Sequence, residues 1–190
     1  MKKICLSLIV AVAAAGLVWA RQEKGGQEGH QAPKLSKEHE GLKDMEGTWD
    51  YVMKFKPGPD QPEMESKGTE VCSMVGGYWL VFDNKSPDFM GQAWHGHGSI
   101  GYDTEKKKYI GTFINSLSPY LMVAEGTSDG PNRMTMNWEG KHGPSDTVEK
   151  TRSVHEKKDK DHSVMTMYGP GPDGKEMTYF TITYTRKGAK

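Results

Sequence analysis

The chain has 190 residues, 25 basic against 25 acidic side chains, 35% hydrophobic residues and two cysteines. That length describes one domain, and the balanced charge, with no basic stripe carrying interleaved aromatics, excludes a design for nucleic acid or anionic membrane surfaces. Two cysteines, one of them close to the N-terminus, also exclude a scaffold built on disulfides.

Residues 1–20 read as a secretory signal peptide. Lys2 and Lys3 precede an apolar run from Ile4 to Val18, and Val18-Trp19-Ala20 places small residues at the third and first positions before a cut. The run is shorter than the roughly twenty residues that span a bilayer, and a polar stretch follows it at once. Cleavage is therefore expected rather than anchoring, which leaves no transmembrane segment in the mature chain. The cut takes Cys5 away and leaves Cys72 as the one thiol, and without Lys2 and Lys3 the balance is 23 basic to 25 acidic. The implied address is export, periplasmic or secreted. Residues 21–34 hold almost nothing apolar and read as a flexible leader to a domain over 35–187.

Leu35 to Met45 carries Leu35, Leu42 and Met45 on one helical face, with Ser36 as N-cap and Gly47 as the stop. From Trp49 the pattern becomes β. Runs of β-branched, aromatic and Met residues fall at roughly 47–56, 65–75, 77–84, 90–102, 107–115, 120–127, 132–139, 146–155, 162–168 and 176–186. Gly, Pro, Asp and Asn clusters separate them, as in Lys56-Pro57-Gly58-Pro59-Asp60 and Gly169-Pro170-Gly171-Pro172-Asp173-Gly174. No interval is long enough for a crossover helix, so consecutive strands are antiparallel neighbours. Closure removes the exposed edges. The predicted fold is all-β: a closed antiparallel meander barrel of about ten strands with one short N-terminal helix. Within 107–115, Tyr109, Gly111 and Phe113 face one way and Ile110, Thr112 and Ile114 the other. An immunoglobulin-like sandwich is the alternative, but it has fewer strands and often a cysteine pair.

Gly47-Thr48-Trp49, at the start of the first strand and just after a helix, resembles the Gly-x-Trp signature of lipocalins and their calycin relatives. In that group the tryptophan closes one barrel end and a late arginine stacks on it, a place that Arg186 fills here. Gly47, Trp49 and Arg186 are thereby implied to be structural. A closer resemblance runs over about residues 38–187. It is carried by His39, Leu42, Met45-Glu46-Gly47-Thr48-Trp49, Gly76-Gly77-Tyr78-Trp79-Leu80, Gly98-Ser99-Ile100-Gly101-Tyr102-Asp103 and Lys108-Tyr109-Ile110-Gly111-Thr112-Phe113-Ile114-Asn115-Ser116. These residues are similar to the bacterial lipocalin-like family catalogued as domain of unknown function 1579. The resemblance implies a calycin-type barrel and no defined activity. Where that family often has Trp-x-Asp-Ser, this chain has Phe113-Ile114-Asn115-Ser116, which argues against a catalytic carboxylate at Asn115. Nitrobindin-type barrels, also ten-stranded relatives, carry an iron-binding histidine near the C-terminus. No histidine follows His162 here.

Trp94-His95-Gly96-His97-Gly98 puts His95 and His97 on one strand face, where both imidazoles could reach one metal. Asp83, Glu125, His142 and Glu149 are the candidates for a third ligand. The plainer reading makes both histidines lining or flanking polar residues, because two ligands fall short of a metal site. Met134-Thr135-Met136 and Met165-Thr166-Met167 aim thioether pairs at one face, which suits Cu(I) or, more simply, a pliable apolar lining. Cys72 has no helix N-terminus or local base to activate it. His155-Glu156-Lys157-Lys158-Asp159-Lys160-Asp161-His162 reads as a solvated hairpin tip.

No nucleophile elbow, dinucleotide fingerprint or phosphate loop is present. The leading expectation is therefore non-enzymatic binding of a small apolar or amphipathic molecule inside the barrel. Its lining is drawn from Trp79, Trp94, His95, His97, Tyr109, Phe113, Met122, Met134, Met136 and Tyr179. No cofactor is expected. A metal or haem site using His95 and His97, and an interaction module using the outer face, are the other two readings. Nothing in the pattern fixes an oligomeric state.

Overall fold

Hydrophobic alternation and turn chemistry close this chain on itself. The computed structural model describes residues 32–58, 61–141 and 147–189. The expected signal peptide over 1–20 and almost all of the leader over 21–34 lie outside the described residues. One helix, α1 (Lys37–Lys43), precedes ten strands: β1 (Gly47–Phe55), β2 (Met64–Val75), β3 (Trp79–Phe89), β4 (Gln92–Asp103), β5 (Lys108–Asn115), β6 (Ser118–Ser128), β7 (Arg133–Lys141), β8 (Val148–Lys157), β9 (His162–Pro170) and β10 (Glu176–Arg186). Each strand pairs antiparallel with its neighbours in sequence, and β1 pairs with β10 to complete a closed barrel. Among the described residues no helix is long and apolar enough to cross a membrane.

The register fixes which side chains point inward. In β1 these are Trp49, Tyr51, Met53 and Phe55, which stand opposite Arg186, Tyr184, Ile182 and Phe180 of β10. Across the other seam, Trp49 faces Glu70 and Tyr51 faces Gly68. A Cβ at Gly68 would lie 2.4 Å from the Tyr51 hydroxyl, so the missing side chain is what lets the phenol lie flat there. Large and absent side chains alternate around the inside, and Gly98 against the Phe82 ring repeats the arrangement.

One end of the barrel is closed by α1 and the β1–β10 seam. The Arg186 guanidinium lies 4.1 Å from the centre of the Trp49 ring and donates hydrogen bonds to the carbonyls of Asp44 and Glu46. Gly47 has φ +127°, and a Cβ there would meet the guanidinium at 2.6 Å. Trp49 Nε1 donates to the Met45 carbonyl at 2.9 Å. The Gly-x-Trp triplet and the late arginine thus form one clasp between the two ends of the domain.

The helix is shorter than its apolar pattern predicts, and its buried face differs. Leu35 precedes it and is half exposed, while His39 and Leu42 are the residues it buries. His39 accepts from the Ser36 backbone N–H through Nδ1 and packs edge-on to Tyr78 and Tyr102. The strand β3 runs five residues past its predicted end, through Pro87, because Asn84 and Ser86 point inward. Ser86 shares a 2.9 Å hydrogen bond with Ser66, and Pro87 falls where the β3–β4 register slips.

Candidate functional site

The barrel interior divides into a filled half and a hollow half. Away from α1, rings pack against rings: Phe55 on Phe89 at 5.2 Å, Phe89 on Trp94 at 6.2 Å, Trp94 on Phe113 at 6.3 Å and Phe113 on Trp138 at 6.4 Å. Toward α1 polar side chains are interspersed with the aromatic ones, and a cavity of about 360 Å³ remains. That volume falls in the range of small-molecule sites. Its inner wall is Trp49, Glu70, Cys72, Tyr109, Met134, His155, Ser163 and Tyr184. Its mouth is framed by α1, by the β6–β7 turn around Pro131 and by the β8–β9 turn around Asp159.

Glu70 is the chemical centre of this wall. It is 9% exposed and accepts from the Cys72 thiol and the Tyr184 hydroxyl, both at 3.4 Å, while the Asn84 side chain also faces it. Among the described residues it makes no ion pair. Burial raises its carboxyl to about 6, opposed by those three donors. The group is ionised above that pH and takes up a proton below it.

His155 faces the same space. Its Nε2 lies 3.1 Å from the Ser163 hydroxyl and its ring 6.3 Å from that of Tyr184. Burial lowers its imidazole to about 4, so it is neutral at neutral pH. Desolvation, reinforced by the Glu70 charge, holds the Tyr184 phenol and the Cys72 thiol protonated, and raises Tyr51 to about 12. At neutral pH the wall therefore presents one carboxylate among neutral hydrogen-bonding groups and aromatic faces.

Of the residues the sequence picks as lining, Tyr109 and Met134 border this cavity. Trp94, Phe113, Met122 and Met136 point inward but belong to the packed core, where Met136 is 1% exposed. Tyr179 lies at the far end, its hydroxyl donating to Glu149 at 2.7 Å and to the Pro170 carbonyl at 3.1 Å. Trp79, His95 and His97 are on the outside. Inward Trp94, Gly96 and Gly98 set the phase of β4, so the histidines between them must point to solvent. Trp79 covers outward Gly101, whose added Cβ would lie 2.6 Å from the indole.

The proposed metal ligands do not converge. His97 Nδ1 meets Asp83 Oδ1 at 2.8 Å, but Glu125 pairs with Lys108 at 2.7 Å and Glu149 takes the Tyr179 hydroxyl. His142 lies outside the described residues. Among the described residues no group of three or more His, Cys, Asp or Glu is assembled as a metal site would need.

Glu70, His155, Ser163 and Tyr184 are the residues the sequence reading passes over. Glu70 carries a visible signal, because it shares the parity of Cys72 and Met74. His155 begins the charged run read as a hairpin tip, yet the strand continues to Lys157 and its parity turns the imidazole inward.

Residues 34–186 match the family model described as protein of unknown function (DUF1579). No curated protein matches the chain in sequence. The crystal structure of Rv2717c from M. tuberculosis is similar in fold, with a TM-score of 0.60 at 13% identity, covering 81% of this chain and 99% of that one. A redesigned beta barrel is more distant, with a TM-score of 0.39 at 16% identity over 77% of this chain and 95% of its own. A de novo designed fluorescence-activating beta barrel stands at 0.39 and 14%, over 77% and 97%.

Proposed function

The chain belongs to the DUF1579 family, and we propose that it binds one small amphipathic molecule inside the barrel, at the end covered by α1. The observation that carries this reading is the hollow of about 360 Å³ next to a packed aromatic half. Interiors are close-packed, so a hollow of ligand size walled by both apolar and polar side chains is a feature that needs a use. Trp49, Met134 and Tyr109 supply apolar contact, and Glu70, Tyr184, His155 and Ser163 supply the convergent polar groups. Binding takes place after export, an address supported by the lysine pair, apolar run and small-residue cut site of residues 1–20.

Native mass spectrometry of the protein, purified gently from an exporting host, tests both parts. A small-molecule adduct that strips off on denaturation is the expected result, on a chain starting at Arg21. A bare polypeptide under conditions that preserve weak complexes would count against binding, and an uncleaved N-terminus against export.

A further inference from the structure

The sign of the inner wall says more about the guest than its size does. Every basic side chain near the cavity lies at its mouth or outside. Lys157 is held by Asp44 at 2.8 Å, Lys37 lies 3.9 Å from Glu38, Lys160 pairs with Asp161, and Arg133 frames the rim. Arg186 is committed to the Trp49 face and to backbone carbonyls. The one basic group on the inner wall, His155, is neutral at neutral pH.

Among the described residues Glu70 is therefore a buried carboxylate with no ion-pair partner. Its donors are a thiol, a phenol and the Asn84 side chain, all neutral, and the thiol and phenol stand at 3.4 Å, well beyond the roughly 2.7–2.9 Å of a charge-assisted hydrogen bond. A carboxylate accepts several hydrogen bonds, so Glu70 retains free lone pairs. Tyr51, Tyr184 and Trp49 are its neighbours, and aromatic ring faces attract positive charge. A carboxylate or phosphate brought against Glu70 would meet like charge, while the cations that line the cavity, Lys37, Arg133, Lys157 and Lys160, frame its mouth. An ammonium group would meet the missing partner.

We infer that the cavity selects a small protonated amine, with its ammonium group held against Glu70 and its apolar part against Trp49 and Met134. This rests on the reading of the hollow as a ligand site. The guest enters charged end first, passing a mouth of mixed charge where Glu38, Asp44 and Asp159 stand among Lys37, Arg133, Lys157 and Lys160. The neutral His155 and Ser163 pair supplies an acceptor for a second N–H of the same ammonium group.

The test is isothermal titration calorimetry of the full-length protein at pH 7.5 with three matched probes: phenethylamine, phenethyl alcohol and 3-phenylpropanoate. The amine is expected to bind at least tenfold tighter than the alcohol, and the carboxylate weakest of the three. Glu70→Gln should erase the preference for the amine over the alcohol. Equal binding of amine and alcohol by the natural protein, or a preference for the carboxylate, overturns the inference and leaves the ligand-site reading standing. Retention of the amine preference by a folded Glu70→Gln variant overturns it as well. Absence of heat with all three probes removes both. The ratio measured on the natural protein decides the matter should the variant not fold.

Discussion

The two halves of the barrel interior obey the same alternation and the same closure, yet one is filled and the other is not. In the far half, inward positions carry Phe55, Phe82, Phe89, Trp94, Phe113 and Trp138, whose rings meet one another from strand to strand. In the half under α1, Trp49, Tyr109, Met134 and Tyr184 are interspersed with the smaller or polar Glu70, Cys72, Ser163 and His155, and a hollow remains between them. The filled half supplies the stability that lets the hollow half hold a desolvated carboxylate and imidazole. The lesson is a division of labour within one sheet, set by side-chain volume at successive inward positions.

The sharpest way to break that comparison is to empty the filled half. Trp138 is 8% exposed and donates to the Ser153 hydroxyl at 2.9 Å. Trp138→Ala is expected to lower stability by about 3–5 kcal/mol in urea unfolding, and a loss under about 1 kcal/mol would mean that this half is not the stabilising one.

The hollow half should respond in the opposite direction. Glu70 binds its proton more tightly folded than unfolded, since its carboxyl is raised from 4.5 to about 6. Its contribution is fully present below pH 4.5 and is lost as pH rises through 6, a cost on the order of 2 kcal/mol at neutral pH. Glu70→Gln should therefore stabilise the protein by roughly that much at pH 8 and by nothing at pH 4.5.

His155 runs the other way. Its imidazole falls from 6.5 to about 4, so its contribution is full above pH 6.5 and is lost on acidification toward 4. The two effects oppose each other between pH 4.5 and 6. Glu70→Gln should unmask a steeper loss on acidification there, and His155→Gln a gain, both visible as melting temperature against pH. Parallel profiles for the two variants would show that the pair does not share a desolvated site.

Smaller effects test the ends and the outside. Arg186→Lys removes the fork that spans the Trp49 face and two carbonyls, with an expected loss of about 1–2 kcal/mol by the same unfolding measurement. His97→Ala, at an exposed pair with Asp83, should change stability by less than about 0.5 kcal/mol.

The strands were legible because period-two alternation and Gly-Pro-Asp turns carry local information. The closing clasp was legible through Gly47, Trp49 and Arg186. The site was much less so, for a physical reason. A polar residue in a strand looks the same whether it faces water or a cavity, and only the register across strands decides. His95 and His97 drew attention as a pair, yet inward Trp94, Gly96 and Gly98 fix β4 with both imidazoles outside. Glu70 drew none, although its parity with Cys72 placed it inside. In β3 the polar run Asp83-Asn84-Lys85-Ser86-Pro87 hid the end of a strand, because its inward members bond to Ser66 and face Glu70 rather than solvent.

The clasp joins residues 140 positions apart, Glu46 and Arg186. No other part of the sheet can stand in for that contact, so every earlier stage of folding exposes two unpaired strand edges. The last of the ten strands in chain order is the one that shuts the ring. Long-range closure of this kind slows folding and lengthens the time spent open to aggregation. The same geometry sets the start of β1 beside the end of β10, so a circular permutant that places α1 and β1 after β10 and opens at the β6–β7 turn would form its clasp between elements near in sequence and fold faster than the natural order.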